Sequence, residues 1–182
     1  MIGMSTLFLV TVVVVFYVIA VYNNLIAQKN QVKEAWATVD TQLKRRYDLI
    51  PNLIEVVRNA AKVEKETLTA VIDARNAAMK CTGPDGADAQ NKLTETLKTL
   101  FAVSESYPIL KSNQNFLELQ RELVDTENKI QATRQFYNTV VMRFNTRVEQ
   151  FPSNVIANMF NIKSAQLFQA AETEREAPQV KF

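Results

Sequence analysis

Apolar residues are distributed along this chain in two ways: nearly continuously over residues 4–22, and at every third or fourth position from residue 32 onward. The first run contains no charged side chain. Together with Leu25 and Ile26 it exceeds the ~20 residues a helix needs to cross ~30 Å of hydrocarbon. Thr11 can return its hydroxyl to the preceding turn. Tyr17 and Tyr22 stand toward the far end, where amphipathic rings favour the interface. The pattern predicts a transmembrane helix. A cleaved signal peptide is the competing reading, and Val18 with Ala20 would satisfy a small-residue cleavage rule. Residues 1–6, however, carry no Lys or Arg, and the apolar run is long for a signal, so a retained anchor is the better reading.

The second pattern predicts four helical segments. Val32, Trp36, Val39, Leu43 and Ile50 form a helical stripe, with Lys33, Glu34, Asp40 and Lys44 off it. Nothing between Tyr22 and Leu49 breaks a helix, so the membrane helix is expected to run on as the first bundle helix, over about residues 5–47. Anchor and bundle would then be rigidly coupled. Pro51 is expected to end that helix, with Asp48 capping the next one and Pro51 inside its first turn. The second helix carries Leu53, Val56 or Val57, Ala60, Leu68, Val71 or Ile72, and Arg75. Residues 81–88 read as a loop. A shorter third helix presents Leu93, Leu97, Leu100 or Phe101, and Ser104, and Tyr107-Pro108 closes or kinks it.

The fourth helix is the most regular. Phe116, Leu123, Ile130, Tyr137, Phe144 and Phe151 recur at seven-residue steps, with Gln120, Glu127, Arg134, Val141 and Val148 at the companion positions. That is a heptad seam. Phe151-Pro152 ends it, and Ser153 or Asn154 is expected to cap a short fifth helix reaching about residue 160. The aromatics Trp36, Phe101, Phe116, Tyr137 and Phe144 are most simply core.

Composition sharpens this picture. The 182 residues include three Gly and five Pro, too few breakers for a many-turned β fold. The single Cys81 has no intrachain disulfide partner, and His is absent, which removes the commonest general base and metal ligand. The net charge of +2 is spread over mixed-sign helices and does not suit a nucleic-acid partner. Lys29, Lys33, Lys44, Arg45 and Arg46 follow the apolar run and no basic residue precedes it. The positive-inside rule therefore places the bundle in the cytoplasm and the N-terminus outside.

Candidate chemistry is sparse. Arg46, Arg75, Glu127 and Arg134 fall on or beside apolar stripes. They could form an anion site, but interhelical ion pairs fixing register are the stronger reading. Glu64 and Glu66 point apart on a helix, and Glu172, Glu174 and Glu176 read as a solvated face, so no metal set is expected. No phosphate loop or Ser-His-Asp set can be assembled. Catalytic, metal-ligating and cofactor-binding residues are thus expected to be none. Arg45 lies ~30 Å or more beyond the membrane boundary on a perpendicular helix, which argues against lipid contact by Lys44-Arg45-Arg46. A surplus apolar face on the first helix, or Phe160 and Ile162 with Leu167-Phe168, is a possible subunit contact. Pro178, Val180 and Phe182 form a short apolar strip suited to docking.

Several polar stretches carry a family resemblance. Tyr22-Asn23-Asn24-Leu25, Glu34-Ala35-Trp36, and Gln42-Leu43-Lys44-Arg45-Arg46-Tyr47-Asp48-Leu49-Ile50-Pro51-Asn52-Leu53 resemble the LemA family. So do Leu119-Gln120-Arg121-Glu122-Leu123, Thr126-Glu127-Asn128-Lys129-Ile130, Arg134 with Tyr137-Asn138, Phe144-Asn145, and Phe151-Pro152-Ser153-Asn154. The match is collinear over about residues 20–182. Two positions depart from it: Val63 precedes Glu64 where the family often has His, and Asn161 follows Phe160 where it often has Gly. Asn tolerates the left-handed conformation, so the backbone can survive that change.

The resemblance implies a single-pass bacterial membrane protein with an antiparallel four-helix bundle. Some relatives are tied to membrane proteases of the HtpX type, and the MamQ branch belongs to magnetosome membrane formation; this chain fits either kind. The combined expectation is an all-α fold, with an N-terminal transmembrane helix continuous with an antiparallel four-helix bundle of long helices. Residues 1–27 form the anchor and 28–182 the cytoplasmic bundle, held at the bacterial inner membrane. The expected function is a non-catalytic, membrane-anchored scaffold that self-associates as a homo-oligomer and organises the bilayer or recruits partners. The alternatives are an adaptor or regulator of a membrane protease or envelope-stress system, and a hydrolytic or metal enzyme, which the lack of His disfavours.

Overall fold

A computed structural model describes residues 2–60, 63–81 and 83–168, with side chains from residue 7 onward. Among the described residues there are six α-helices and no strand: α1 (Ile2–Ala60), α2 (Lys65–Lys80), α3 (Ala87–Ser104), α4 (Pro108–Lys111), α5 (Gln114–Glu149) and α6 (Ser153–Met159). A single 3₁₀ turn, Pro84–Gly86, leads into α3. The chain forms two compact units. One comprises Thr38–Gln135 with Phe168, the other Met1–Ala37 with Phe136–Leu167, and α1 and α5 contribute to both.

The first of these units is a four-helix bundle built from the C-terminal part of α1, α2, α3 and the N-terminal part of α5. Its core holds Ile50, Leu53, Ile54 and Val57 from α1, Leu68, Val71, Ala74 and Ala78 from α2, Leu93, Leu97 and Leu100 from α3, Leu110 from α4, and Phe116 and Leu123 from α5. The residues of each long helix recur at three- and four-residue steps, so each helix buries one stripe and leaves the opposite face wet. Phe101 meets Phe116 edge-on at 6.4 Å, an arrangement aromatic quadrupoles favour. The connection from α2 to α3 depends on Gly86. A Cβ there would lie 2.9 Å from the Cys81 carbonyl oxygen. Gly83 adopts φ +91°, a conformation costly for any residue with a side chain.

Pro51 does not end the first helix. It sits inside α1, which continues to Ala60, and α2 starts at Lys65. An interior proline removes the bond its N–H would make to the carbonyl four residues back, here Tyr47. Arg75 of α2 replaces that donor: its Nε–H donates to the Tyr47 carbonyl at 2.9 Å. Tertiary packing thus carries the helix past its breaker. Asp48, expected as a cap, instead pairs with Lys44 on the exposed surface at 2.7 Å.

In the other unit, the N-terminal part of α1 exposes the side chains of its apolar run. Phe8 is 73% accessible and Phe16 68%. This helix is long and apolar enough to cross a membrane. Further along α1, Leu25, Val32 and Ala35 are buried with Tyr137, Val141 and Phe144 of α5 and Ile156 and Ala157 of α6. Trp36 meets Tyr137 edge-on at 5.4 Å. The heptad seam is buried at Phe116, Leu123, Ile130, Tyr137 and Phe144 but stops there, because Phe151 is 77% exposed. It lies in the turn beyond α5, where helical phase no longer sets which way a side chain points.

Ser153 also differs from expectation. Its hydroxyl lies 2.6 Å from the Arg147 carbonyl and 2.8 Å from that of Gln150, so it closes the C-terminus of α5 rather than capping α6. The end of α6 is a Schellman turn. Ile162 N–H donates to the Ala157 carbonyl at 2.8 Å and Asn161 N–H to that of Asn158 at 3.2 Å, with Asn161 in the left-handed region at φ +51°. The chain then returns along α5. The Asn145 side-chain amide exchanges two hydrogen bonds with the backbone of Ala165, both 2.8 Å, and the Tyr137 hydroxyl donates to the Gln166 carbonyl at 2.9 Å.

Candidate functional site

The most concentrated polar chemistry lies inside the four-helix unit, around Arg46. The position falls on the buried stripe of α1, between Leu43 and Ile50, and the residue is fully enclosed at 0% exposure. A guanidinium so placed must find partners, since an uncompensated buried charge costs several kcal/mol. Its Nη1 donates to Glu127 Oε2 of α5 at 2.7 Å and to Thr94 Oγ1 of α3 at 3.0 Å. Its Nη2 donates to Gln90 Oε1, also on α3. The second oxygen of Glu127 lies 3.0 Å from the Thr94 hydroxyl.

A second layer extends the cluster to α2. Gln90 Nε2 donates to the Tyr47 hydroxyl and, at 3.1 Å, to the Ala78 carbonyl. The Tyr47 hydroxyl in turn donates to the same carbonyl at 3.3 Å. Ala78 lies in the last turn of α2, and its carbonyl also accepts the Cys81 N–H at 3.3 Å. Burial pushes the Tyr47 hydroxyl above its ordinary value, opposed by the hydrogen bond from Gln90 and by the Arg46 charge. All four helices of the unit meet in this cluster.

The four charged residues singled out in the sequence are placed as follows. Arg46 and Glu127 are in direct contact. Arg75 reaches the Tyr47 main chain, so it adjoins the cluster through the backbone. Arg134, one heptad beyond Glu127, lies with Nη1 3.4 Å from Asn91 Oδ1 and with its guanidinium carbon 4.2 Å from the centre of the Phe168 ring, a cation–π distance. On the surface Arg45 approaches Glu122 at 3.8 Å. Pro178, Val180 and Phe182 lie outside the described residues.

Sequence reasoning missed Gln90, Thr94 and Tyr47 as members of the cluster. A signal was present. Gln90 and Thr94 stand four apart, hence on one helix face, on the stripe that also carries Leu93 and Leu97. Two polar side chains on an apolar stripe require partners, and Arg46 on the stripe of α1 was the obvious donor. Asn145, which clamps the returning chain, was visible only as part of a family motif.

The Glu127 carboxylate accepts from Arg46 of α1 and Thr94 of α3, and among the described residues no group of His, Cys, Asp or Glu is arranged to hold a metal ion.

Comparison with known proteins is consistent across the length of the chain. The LemA family profile matches residues 35–182. Protein LemA of Metamycoplasma hominis is 26% identical over 175 residues, covering 93% of this chain and 79% of its own. Two magnetosome MamQ proteins of Paramagnetospirillum magneticum are each 23% identical over 189 residues, covering 87% of this chain and 70% of theirs. The MamQ protein of Magnetospirillum gryphiswaldense is 20% identical over the same extent. The matched region contains every residue of the Arg46 cluster, and the chain belongs to the LemA family.

Proposed function

We propose that this protein is a non-catalytic, membrane-anchored helical scaffold of the bacterial cytoplasmic membrane that self-associates and organises the bilayer or recruits partners. The observation that carries the proposal is the surface of α1. Leu7, Phe8, Leu9, Val10, Val13, Val14, Val15 and Phe16 are each more than half exposed, in a helix that continues without a break to Ala60. Water does not tolerate so large a contiguous apolar surface, whereas a bilayer covers it. Lys29 and Lys33 lie just beyond the apolar run, which supports a cytoplasmic bundle. Anchors confined to one plane meet at raised effective concentration, which favours self-association. The Arg46–Glu127 pair serves register in this reading, at some cost in stability.

Size measurement of the full chain in a mild detergent tests the proposal: an assembly of several copies is expected, and a strict monomer would overturn it. Protease treatment of intact spheroplasts should leave the bundle untouched; digestion from outside would reverse the orientation. An adaptor for a membrane protease of the HtpX type is the alternative, and crosslinking with mass spectrometry of partners separates the two. Deleting residues 177–182 tests the docking strip, which has no role if assembly and partner recovery are both unchanged.

A further inference from the structure

The turn from α5 into α6 carries apolar surface that the bundle does not use. Residues 151–162 contain no charged side chain. Within this stretch Ser153, Ile156 and Ala157 are buried, whereas Phe151, Val155 and Met159 are 77%, 52% and 66% exposed. Val155 and Met159 stand four apart on α6, on a face turned away from the buried residues, and Phe151 is exposed in the turn that precedes α6. Phe160, 47% exposed, extends this patch.

The position of this patch along α1 indicates what covers it. Phe151, Pro152 and Ser153 line a groove together with Tyr17, Ala20, Val21, Asn24 and Leu25 of α1. The Phe160 ring lies 4.5 Å from the Tyr22 ring. The tip is therefore level with residues 17–25, the end of the charge-free run, next to the exposed Val14, Phe16 and Ile19. Its exposed apolar patch continues the apolar surface of the span. Charges return just outside it: Arg147 lines the same groove, and Arg143 follows with Asn24, Gln28 and Gln31. Lys163 lies beyond the other end of the stretch, near Glu149. An apolar patch bordered mainly by basic residues is the pattern of an element lying in the headgroup–acyl boundary.

We propose that Phe151, Val155 and Met159 form a wedge that inserts into the bilayer, in the leaflet where the apolar run of α1 ends, with Arg147 at the level of the lipid phosphates. The proposal rests on α1 being a membrane anchor. The wedge gives the anchored unit a second, off-axis contact with the same leaflet. Such a contact fixes the rotation and tilt of α1, which helix length alone leaves open.

The test uses the full chain with its single, exposed Cys81 replaced by Ser. Single cysteines are introduced as Phe151→Cys, Val155→Cys and Met159→Cys, with Val14→Cys as the anchor control and Arg58→Cys as the aqueous control. Each variant carries a polarity-sensitive fluorophore and is reconstituted into vesicles of phosphatidylcholine and phosphatidylglycerol. The lipids bear a spin label either near the headgroup or deep in the acyl chain. All three wedge positions are expected to shift to the blue and to be quenched most by the shallow label, position 14 by the deep label, and position 58 by neither. Deep quenching at position 14 with water-like emission at the three wedge positions overturns the wedge and leaves the anchor standing. A blue shift at those positions without lipid quenching means that protein, such as a second copy, covers the patch, and also overturns the wedge. An unquenched position 14 removes the anchor and the wedge together.

Discussion

The interior proline of α1 and the arginine of α2 make a pair whose coupling can be measured. Pro51 leaves the Tyr47 carbonyl without its intrahelical donor, and Arg75 Nε–H occupies it at 2.9 Å. Arg75 also lines the groove beside Ile50, Pro51 and Ile54, so the contact is part of the α1–α2 packing. A hydrogen bond from a charged donor contributes ~1.5–3 kcal/mol. Arg75 and Tyr47 are only partly buried and water can replace part of the bond, so Arg75→Met is expected to cost about 1.5 kcal/mol, the low end of that range. Pro51→Ala returns an N–H to the helix, and the carbonyl then has a donor of its own. In that background Arg75→Met should cost about 0.5 kcal/mol or less, giving a coupling of ~1 kcal/mol, outside the few tenths typical of independent sites. Guanidinium unfolding of the full chain in mild detergent, followed by far-ultraviolet circular dichroism, supplies the four stabilities of the cycle. An Arg75→Met penalty of equal size in both backgrounds refutes the idea that Arg75 stands in for the missing proline donor.

Glu127→Gln removes the countercharge of the wholly buried Arg46. Because the Glu127 side chain is 20% exposed, a loss of ~2–3 kcal/mol is expected, below the 3–5 typical of fully buried pairs; unchanged unfolding and unchanged assembly would sink the register role. Asn161→Gly should raise stability by about 0.5 kcal/mol and Asn161→Val should lower it by ~1 kcal/mol or more, since φ +51° suits glycine and strains a β-branched residue; thermal unfolding in which the two variants shift the same way counts against the Schellman assignment. Burial raises the hydroxyl of Tyr47, and likewise that of Tyr137, above 10.0. The unfolded chain therefore releases these protons first, and their contribution is complete below about pH 10 and lost as pH rises through the folded values. Alkaline unfolding monitored by tyrosinate absorbance should show that decline, and Tyr47→Phe should shrink it; an identical alkaline profile in Tyr47→Phe would exclude Tyr47 as a source.

Much of the fold was legible because the helices follow one rule over long distances. Leu93, Leu97 and Leu100, or Phe116, Leu123, Ile130, Tyr137 and Phe144, repeat at helical spacing and are all buried. The site was legible only in part. Arg46 and Glu127 stood out as charges on apolar stripes, and the structure brings them into contact. Gln90 and Thr94 did not, because neutral polar residues are common on helices and their significance depends on which helix faces them. Pro51 was misread for the complementary reason. Local rules assign a helix end to an interior proline, and the donor that relieves it comes from Arg75, on another helix.

The sequence by itself determined the helical class, the apolar run of α1 and the heptad seam of α5 from Phe116 to Phe144. These depend on spacing and transfer energy that act within a few turns of one segment. Tertiary structure alone decided that α1 passes through Pro51 to Ala60, that Ser153 closes α5, and that Arg46 is shared by Gln90, Thr94 and Glu127. It also decided that Phe151 leaves the seam and lies exposed beside residues 17–25 of α1. The physical reason is the same in each case. A backbone carbonyl, a buried charge or an exposed ring is completed by whatever group the fold brings within reach, and here those groups come from segments separated along the chain.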